Sequence, residues 1–276
     1  MTQDLEAIRA LCRAGRLAEA GGDPPVLETP CKLCGGAAAL FGVVDFNKTC
    51  HGAKGPRLPV AGVPVHYRRC GKCGLVYTDA FDAFRQVDFA ACIYNDAYAA
   101  VDPDFAERRP RANAALIGRL FGAARATVSL LDYGAGEGRL ADILARDGWR
   151  AESHDPFHGD RRRPDGAFGL VTCFEVFEHT PDPKGLIDTL AGFLAPEGLI
   201  LLSTLLQPPE IETLGLAWWY AAPRNGHITL FSKASLAALC GGAGLTLASF
   251  DDHLHVAYRR LPAFARHLMV NAPPGA

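Results

Sequence analysis

The sequence predicts an α/β protein with a largely parallel sheet, preceded by a small cysteine-bearing module. Three observations carry that prediction. From Thr127 onward, apolar strand-like runs alternate with helical runs for most of the chain, the pattern of consecutive βαβ units. One of those strands ends in Gly134-Ala-Gly136-Glu-Gly138 and runs straight into a helix. Ahead of it, two CxxC pairs, Cys31/Cys34 and Cys70/Cys73, stand in a stretch rich in Gly and Pro, each pair followed directly by Gly.

At 276 residues, with 49% hydrophobic and 21% charged, the chain is long enough for one large core and a smaller module. A net charge of −2, with 22 Arg against 6 Lys, excludes a general polyanion binder and argues against a nucleic-acid partner. The longest apolar run, Leu199 to Leu206, is far short of the roughly 20 residues of a spanning helix, so no membrane role is expected. The polar, acidic start MTQDLEAIRA predicts no secretory signal and therefore a cytoplasmic, reducing setting, where CxxC pairs read as metal ligands rather than disulfides.

Residues 1–22 carry helical spacing through Leu5, Ile8, Leu11 and Cys12 and predict an N-terminal helix ending at Gly21-Gly22. Residues 23–80, with alternating runs such as Val63 to Arg69, predict a module of small strands. Helical spacing returns over 81–125, with Asp102-Pro103 and Pro110 as breaks, and predicts a helical lid or linker. The α/β domain is expected over 126–262 and a C-terminal tail over 263–276, frayed from Asn271 onward. Its strands are expected at Val128–Tyr133, Ala151–His154, Leu170–Phe174, Leu199–Thr204, Leu245–Phe250 and His255–Arg259. Helices are expected near Arg139–Asp147, Pro183–Leu194 and Lys233–Cys240, with Gly148, Gly198 and Gly244 after helical runs, where a left-handed residue closes a helix.

The strongest chemistry lies in Val128 to Gly138. Glycines at 134, 136 and 138 let a ligand approach the backbone. Asp132 stands two residues before the first of them, and Asp155 ends the next strand, where a carboxylate can accept both hydroxyls of a ribose. A dinucleotide site prefers GxGxxG and a helix N-terminus free for pyrophosphate. The GxGxG spacing and the neighbouring acid Asp132 instead suit a cationic amino-acid moiety, which favours S-adenosylmethionine over a nicotinamide cofactor.

On these residues the chain resembles the class I S-adenosylmethionine-dependent methyltransferases, from about Thr127 to Phe250. The most specific stretch, Phe168 to Pro183 with its Glu178-His179-Thr-Pro-Asp182-Pro183 turn, is similar to the family's fourth strand and the EH-x-x-DP turn after it. Ala195-Pro-Glu-Gly198 and the strand after it resemble the family's turn and fifth strand. Asn225 to Leu236 resembles the segment that such enzymes place over the acceptor. The resemblance implies a Rossmann-like sheet and S-adenosylmethionine as cofactor. It implies that Asp132, Gly134, Gly136 and Gly138 hold the methionine end, that Asp155 binds the ribose, and that Phe174 and Glu175 flank the cofactor. Only about a dozen residues, His158 to Phe168, separate the second strand from the fourth, too few for a helix and a further strand. The third strand is therefore expected to be shortened or lost, with Asp165 the nearest residue to an adenine contact.

Four thiolates from two CxxC knuckles make a closed tetrahedral set of the structural zinc-ribbon kind, although the 35-residue spacer is long; a reduced dithiol pair is the alternative. Cys50-His51 in the spacer reads as a spare surface pair. The layout also resembles small-molecule methyltransferases, including some deoxysugar C-methyltransferases, with a zinc-binding segment ahead of the core. The acceptor is therefore expected to be a small molecule such as a sugar, nucleotide-sugar or other biosynthetic intermediate. The alternatives are an RNA methyltransferase gripping nucleic acid through the zinc module, and a lapsed enzyme kept for binding.

Methyl transfer often needs one proton removed from the nucleophile, and imidazole suits that task. His227, after the fifth strand, is the favoured base and His179, after the fourth, the second; either can instead stabilise a turn, and Glu178 can orient it. His154 is expected on the opposite face from Asp155. Tyr94 and Tyr98, read at i, i+4 on one helix, either close over the cofactor or pack that helix. Trp218-Trp219-Tyr220 either walls the acceptor or buries its own segment, and Arg161 to Arg163 reads as a solvated loop.

Overall fold

The computed structural model describes residues 10, 28–50, 58–104, 106–158 and 162–268. The expected helix over 1–22 (residue 10 apart), the expected tail from 269, and Cys12, His51 and Arg161 lie outside them. The chain first forms strands β1 (Glu28–Pro30), β2 (Ala37–Asp45), β3 (Pro64–Cys70) and β4 (Val76–Tyr77), then helices α1 (Gln86–Cys92), α2 (Tyr98–Val101) and α3 (Arg108–Phe121). Next come β5 (Ser129–Tyr133), α4 (Arg139–Arg146), β6 (Arg150–His154), β7 (Phe168–Phe174), α5 (Pro183–Phe193) and β8 (Leu194–Ser203). The last elements are α6 (Ile211–Leu214), β9 (Thr229–Leu230), α7 (Lys233–Gly242), β10 (Thr246–Ser249) and β11 (Leu254–Tyr258).

These elements form two compact units. The first holds residues up to Pro103 together with Phe177–Lys184 and Leu205–Leu239; the second holds Asp104–Val176, Gly185–Thr204 and the residues from Cys240. This cuts across the linear division into module, lid and α/β domain, because hydrophobic burial and not chain order sets the grouping. Phe81, Phe89 and Ile93 bury in the core of the first unit, whereas Ala114, Ile117 and Phe121 of α3 bury in the core of the second. The stretch 81–125 is thus not one lid. The described part of the C-terminal tail, 263–268, forms 3₁₀ turns with Ala265 buried and Phe264 edge-on to Phe121.

In the second unit the sheet runs β10-β11-β8-β7-β5-β6. β6, β5, β7 and β8 are parallel, and β11 and β10 return antiparallel. The central strands are buried along nearly their whole length, as expected where helices cover both faces of a parallel sheet. Among the described residues no strand lies between β6 and β7, so the shortened connection is borne out. Gly148 and Gly244 take left-handed backbones as expected, but Gly198 does not. It lies inside β8, where the pairing with β7 shifts register, and a Cβ there would meet the Phe168 carbonyl oxygen at 2.8 Å. Pro110 does not break a helix; it sits in the first turn of α3, where its missing N–H has no partner to lose.

In the first unit an antiparallel sheet runs β1-β2-β3-β4-β9. It packs with α1 and α2 around Tyr67, Phe81, Trp218 and Tyr220, which places the 205–239 segment on the N-terminal strands. Among the described residues no helix is long and apolar enough to cross a membrane.

Replacing Gly198 by Ala is expected to lower stability by about 1–3 kcal/mol, because the new methyl meets main-chain oxygens that cannot rotate away. Urea unfolding of the two proteins measures this; an unchanged midpoint would show that the strand relaxes freely.

Candidate functional site

Parallel register assembles the first constellation, in the second unit. Asp132 of β5 pairs with Thr172 of β7 and with Ser153 of β6. The Thr172 hydroxyl accordingly donates to Asp132 Oδ1 at 2.8 Å. Beyond β5 the chain turns through Gly134, Gly136 and Gly138, all at positive φ. A side chain at 134 would collide with Val176 at 2.4 Å, whereas the Cβ direction at Gly136 is open. The Asp155 carboxylate ties the loop down, accepting from the Gly136 amide at 2.8 Å and from the Phe157 amide at 2.7 Å. His154 turns instead to Tyr133 and Phe193.

Asp132 is buried, and burial pushes its pKa up to about 7. The Thr172 hydroxyl opposes that shift and the charge of Asp155 adds to it. A carboxylate held near neutrality at a strand end is one whose ionisation a cationic ligand would favour.

At the end of β7, Phe174 packs partly against the core, and Glu175 takes φ +54°, the one non-glycine residue with positive φ among the described residues. That backbone costs of order 1 kcal/mol or more and persists because several bonds fix it. The Glu175 amide donates to Ser203 Oγ at 3.0 Å, the Ser203 hydroxyl donates to Glu175 Oε1 at 2.8 Å, and His253 Nε2 lies 2.8 Å from the same oxygen. Burial would raise the Glu175 pKa, but His253, Arg109 and Ser203 together hold it down to about 2.

The second constellation is the cysteine cluster of the first unit. Sγ atoms of Cys31, Cys34, Cys70 and Cys73 all lie within 4.8 Å of one another, with Cys31–Cys73 at 3.8 Å and Cys34–Cys70 at 3.5 Å. Four sulfurs tetrahedrally placed at about 2.3 Å from a zinc ion stand about 3.8 Å apart. The two pairs fold alike: Gly35 and Gly74 are left-handed and donate back to the Cys31 and Cys70 carbonyls, both at 2.9 Å. Main-chain amides of Leu33 and Cys73 point at Cys31 Sγ and Cys70 Sγ. The set fits a tetrahedral metal.

The third constellation, also in the first unit, joins Glu178, His179 and His227. Glu178 and His179 form a 3₁₀ turn with Phe177. The Ile228 amide donates to the Glu178 carbonyl at 2.8 Å, and the Thr229 hydroxyl donates to the Thr180 carbonyl at 2.7 Å. These bonds bring the imidazoles of His179 and His227 to 4.9 Å between centroids. His227 is buried, with Nδ1 2.9 Å from the Tyr220 carbonyl oxygen and 3.5 Å from Cys50 Sγ. Cys50 is therefore no spare surface thiol. Tyr220 is buried and its hydroxyl donates to Glu178 Oε1 at 2.7 Å, while Trp219 is exposed, so the aromatic run both packs and projects. Tyr94 and Tyr98 do meet edge-on, but Tyr94 lies in the turn after α1 and Tyr98 opens α2, so no single helix carries both. Tyr94 also packs on His179.

Sequence reasoning missed Thr172, Ser203 and His253. Counting parallel register from Asp132 could have found Thr172; His253 comes from a hairpin whose approach no local pattern announces. Because the folded Glu175 pKa is depressed, its ionised form contributes stability that is lost as pH falls from the unfolded value, roughly 4.3, toward 2. Replacing His253 by Ala is expected to raise that pKa and to move the acid-unfolding midpoint to higher pH, read by circular dichroism; a midpoint that stays put would show that His253 does not support Glu175.

Residues 105–249, just over half of the chain, match the family model described as "Methyltransferase domain". A ubiquinone biosynthesis O-methyltransferase of Xanthomonas euvesicatoria pv. vesicatoria is 34% identical over 112 residues, covering 38% of this chain and 47% of the relative. The chain thus spans about half the length of that relative. One of the same name from Xanthomonas oryzae pv. oryzae is 30% identical over 173 residues, covering 51% of this chain and 72% of its own. A solved O-methyltransferase family protein from Burkholderia thailandensis aligns at 16% identity and TM-score 0.49, covering 66% of this chain and 64% of its own. With the family model spanning the glycine loop, the EH turn and the strands that carry them, the chain belongs to the methyltransferase-domain family of class I, S-adenosylmethionine-dependent type.

Proposed function

We propose that the protein transfers a methyl group from S-adenosylmethionine to an oxygen of a small-molecule acceptor. The observation that carries this reading is the strand–loop–helix of the second unit, with the backbone open at Gly136 between a neutral-poised Asp132 and a loop-pinning Asp155. Support for oxygen as the methylated atom comes from the relatives, which are O-methyltransferases by name.

S-adenosylmethionine supplies an electrophilic methyl on a sulfonium and leaves as a neutral thioether. The chain's task is to bind, orient and exclude water. In this reading Asp132 and the backbone at Gly134, Gly136 and Gly138 hold the cationic methionine end. Asp155 has acceptor capacity left for a ribose after taking the Gly136 and Phe157 amides. Phe174 and the rigidly bonded Glu175 flank the cofactor. His227, with His179, activates the acceptor's nucleophile. Tyr94, which packs on His179, closes over the cofactor in this reading.

Ionised Asp132 is the form that attracts a cation, so wild-type affinity for S-adenosylhomocysteine, which keeps the methionine-end amino group, is expected to fall as pH drops below about 7. Asp132→Asn should weaken binding roughly 10–100-fold at pH 8, the range for a lost charge-assisted hydrogen bond. A raised folded pKa means that the carboxyl's contribution to stability is lost as pH rises through 7. The ligand-free Asn variant should therefore melt higher than wild type at pH 8. Calorimetry at pH 6 and 8 tests the reading; equal affinities for both proteins at both pH values would refute the assignment of the loop.

The four-cysteine cluster is proposed to hold one structural zinc ion, closed to substrate by its four sulfurs. Cys73→Ser should lose the metal and loosen β1 to β4, seen as new protease cleavage within residues 28–77, since metal binding and local folding are coupled. Zinc-free protein that resists protease as well as wild type would count against the proposal.

A further inference from the structure

The histidine cluster offers more than proton transfer. We propose that Glu178, His179 and His227 bind a divalent transition-metal ion at a site separate from the four thiolates, with coordination positions left for an oxygen of the acceptor.

One ligand atom from each residue lies within 4.8 Å of the others, and His179 Nε2 stands 4.0 Å from Glu178 Oε1. Metal–nitrogen and metal–oxygen bonds near 2.1 Å put ligand atoms roughly 3–3.5 Å apart, so binding would draw the three together by about an ångström. Two imidazoles and one carboxylate form the donor set that divalent zinc and iron take in open sites.

The surrounding bonds orient these side chains as ligands. Each histidine has Nδ1 on a main-chain carbonyl, His179 on Gly226 at 3.1 Å and His227 on Tyr220 at 2.9 Å. With Nδ1–H as the donor there, Nε2 is the ring nitrogen that would ligate a metal, the arrangement that outer-shell carbonyls impose on ligating histidines. Tyr220 serves twice, since its hydroxyl also fixes Glu178 Oε1. Glycine is required at 226 for this approach: its φ is +86°, and a Cβ would lie 2.8 Å from His179 Nδ1. Glu178 is fully buried, a costly place for a carboxylate that a bound cation would make favourable.

What the ion does rests on the methyltransferase reading; whether it binds does not. Coordination of an acceptor hydroxyl to the ion would lower its pKa, so that the proton leaves to solvent and the oxygen keeps its electron pair as a nucleophile. With the ion bound, His179 and His227 would activate the nucleophile as ligands, and without it as proton acceptors.

The test uses the full chain, incubated with Zn²⁺ or Fe²⁺ and desalted, with metal per chain measured by plasma mass spectrometry. Wild type is expected to hold one equivalent more than His179→Ala or His227→Ala. Equal metal content in all three proteins overturns the proposal. Wild type alone gives a second reading: its Tm should keep rising as Zn²⁺ is added beyond the first equivalent, and a flat Tm there overturns the proposal without any variant. S-adenosylhomocysteine affinity on the same samples separates the two readings. Loss of cofactor binding with the metal difference intact refutes the donor-site assignment and leaves the metal site standing.

Discussion

Parallel hydrogen bonding among β5, β7 and β8 aligns strand ends that are far apart in sequence. Asp132 stands beside Thr172, and Phe174 beside Ser203, only because these strands pair in that register. Slipping any strand by one residue would turn its whole side-chain set to the other face. The glycine loop, the buried carboxyl and the strained Glu175 all take their positions from that alignment. Near-continuous burial of the strands is what holds the register against slippage.

Two carboxylates of the second unit are held largely out of water, and in each case a specific partner sets the outcome. Asp132 has one hydroxyl donor and sits near neutrality, so a ligand's charge can decide its protonation. Glu175 has a serine, an imidazole and a nearby guanidinium and stays ionised. Different partners thus produce a responsive group in one place and a permanent anion in the other, near the ends of the adjacent strands β5 and β7.

The two metal-type clusters of the first unit differ in the same instructive way. Four cysteines on two matched knuckles leave no open position, which suits a structural ion. Two histidines and a glutamate leave several, which suits an ion that meets substrate. The knuckles come from two tight local turns, whereas the histidine group depends on the 177–180 turn being hydrogen-bonded to residues 228 and 229.

Local pattern determined a good part of this protein. Alternation of strand-like and helical runs marked all six strands of the larger sheet, and GxGxG at a strand end marked the loop, because period and turn chemistry act over a few residues. That no strand stands between β6 and β7 among the described residues was legible from the length of the connection alone. The paired CxxC-Gly knuckles were legible because each closes on itself. Tertiary structure decided what local pattern cannot carry. It divided 81–125 between two cores, moved 205–239 onto the N-terminal strands, and gave Gly198 a place against the Phe168 carbonyl instead of a helix end. It also set Glu178 and His179 beside His227, and His253 on Glu175, across 48 and 78 residues of sequence. Those meetings depend on burial and register summed over whole sheets, and no spacing within the chain encodes them.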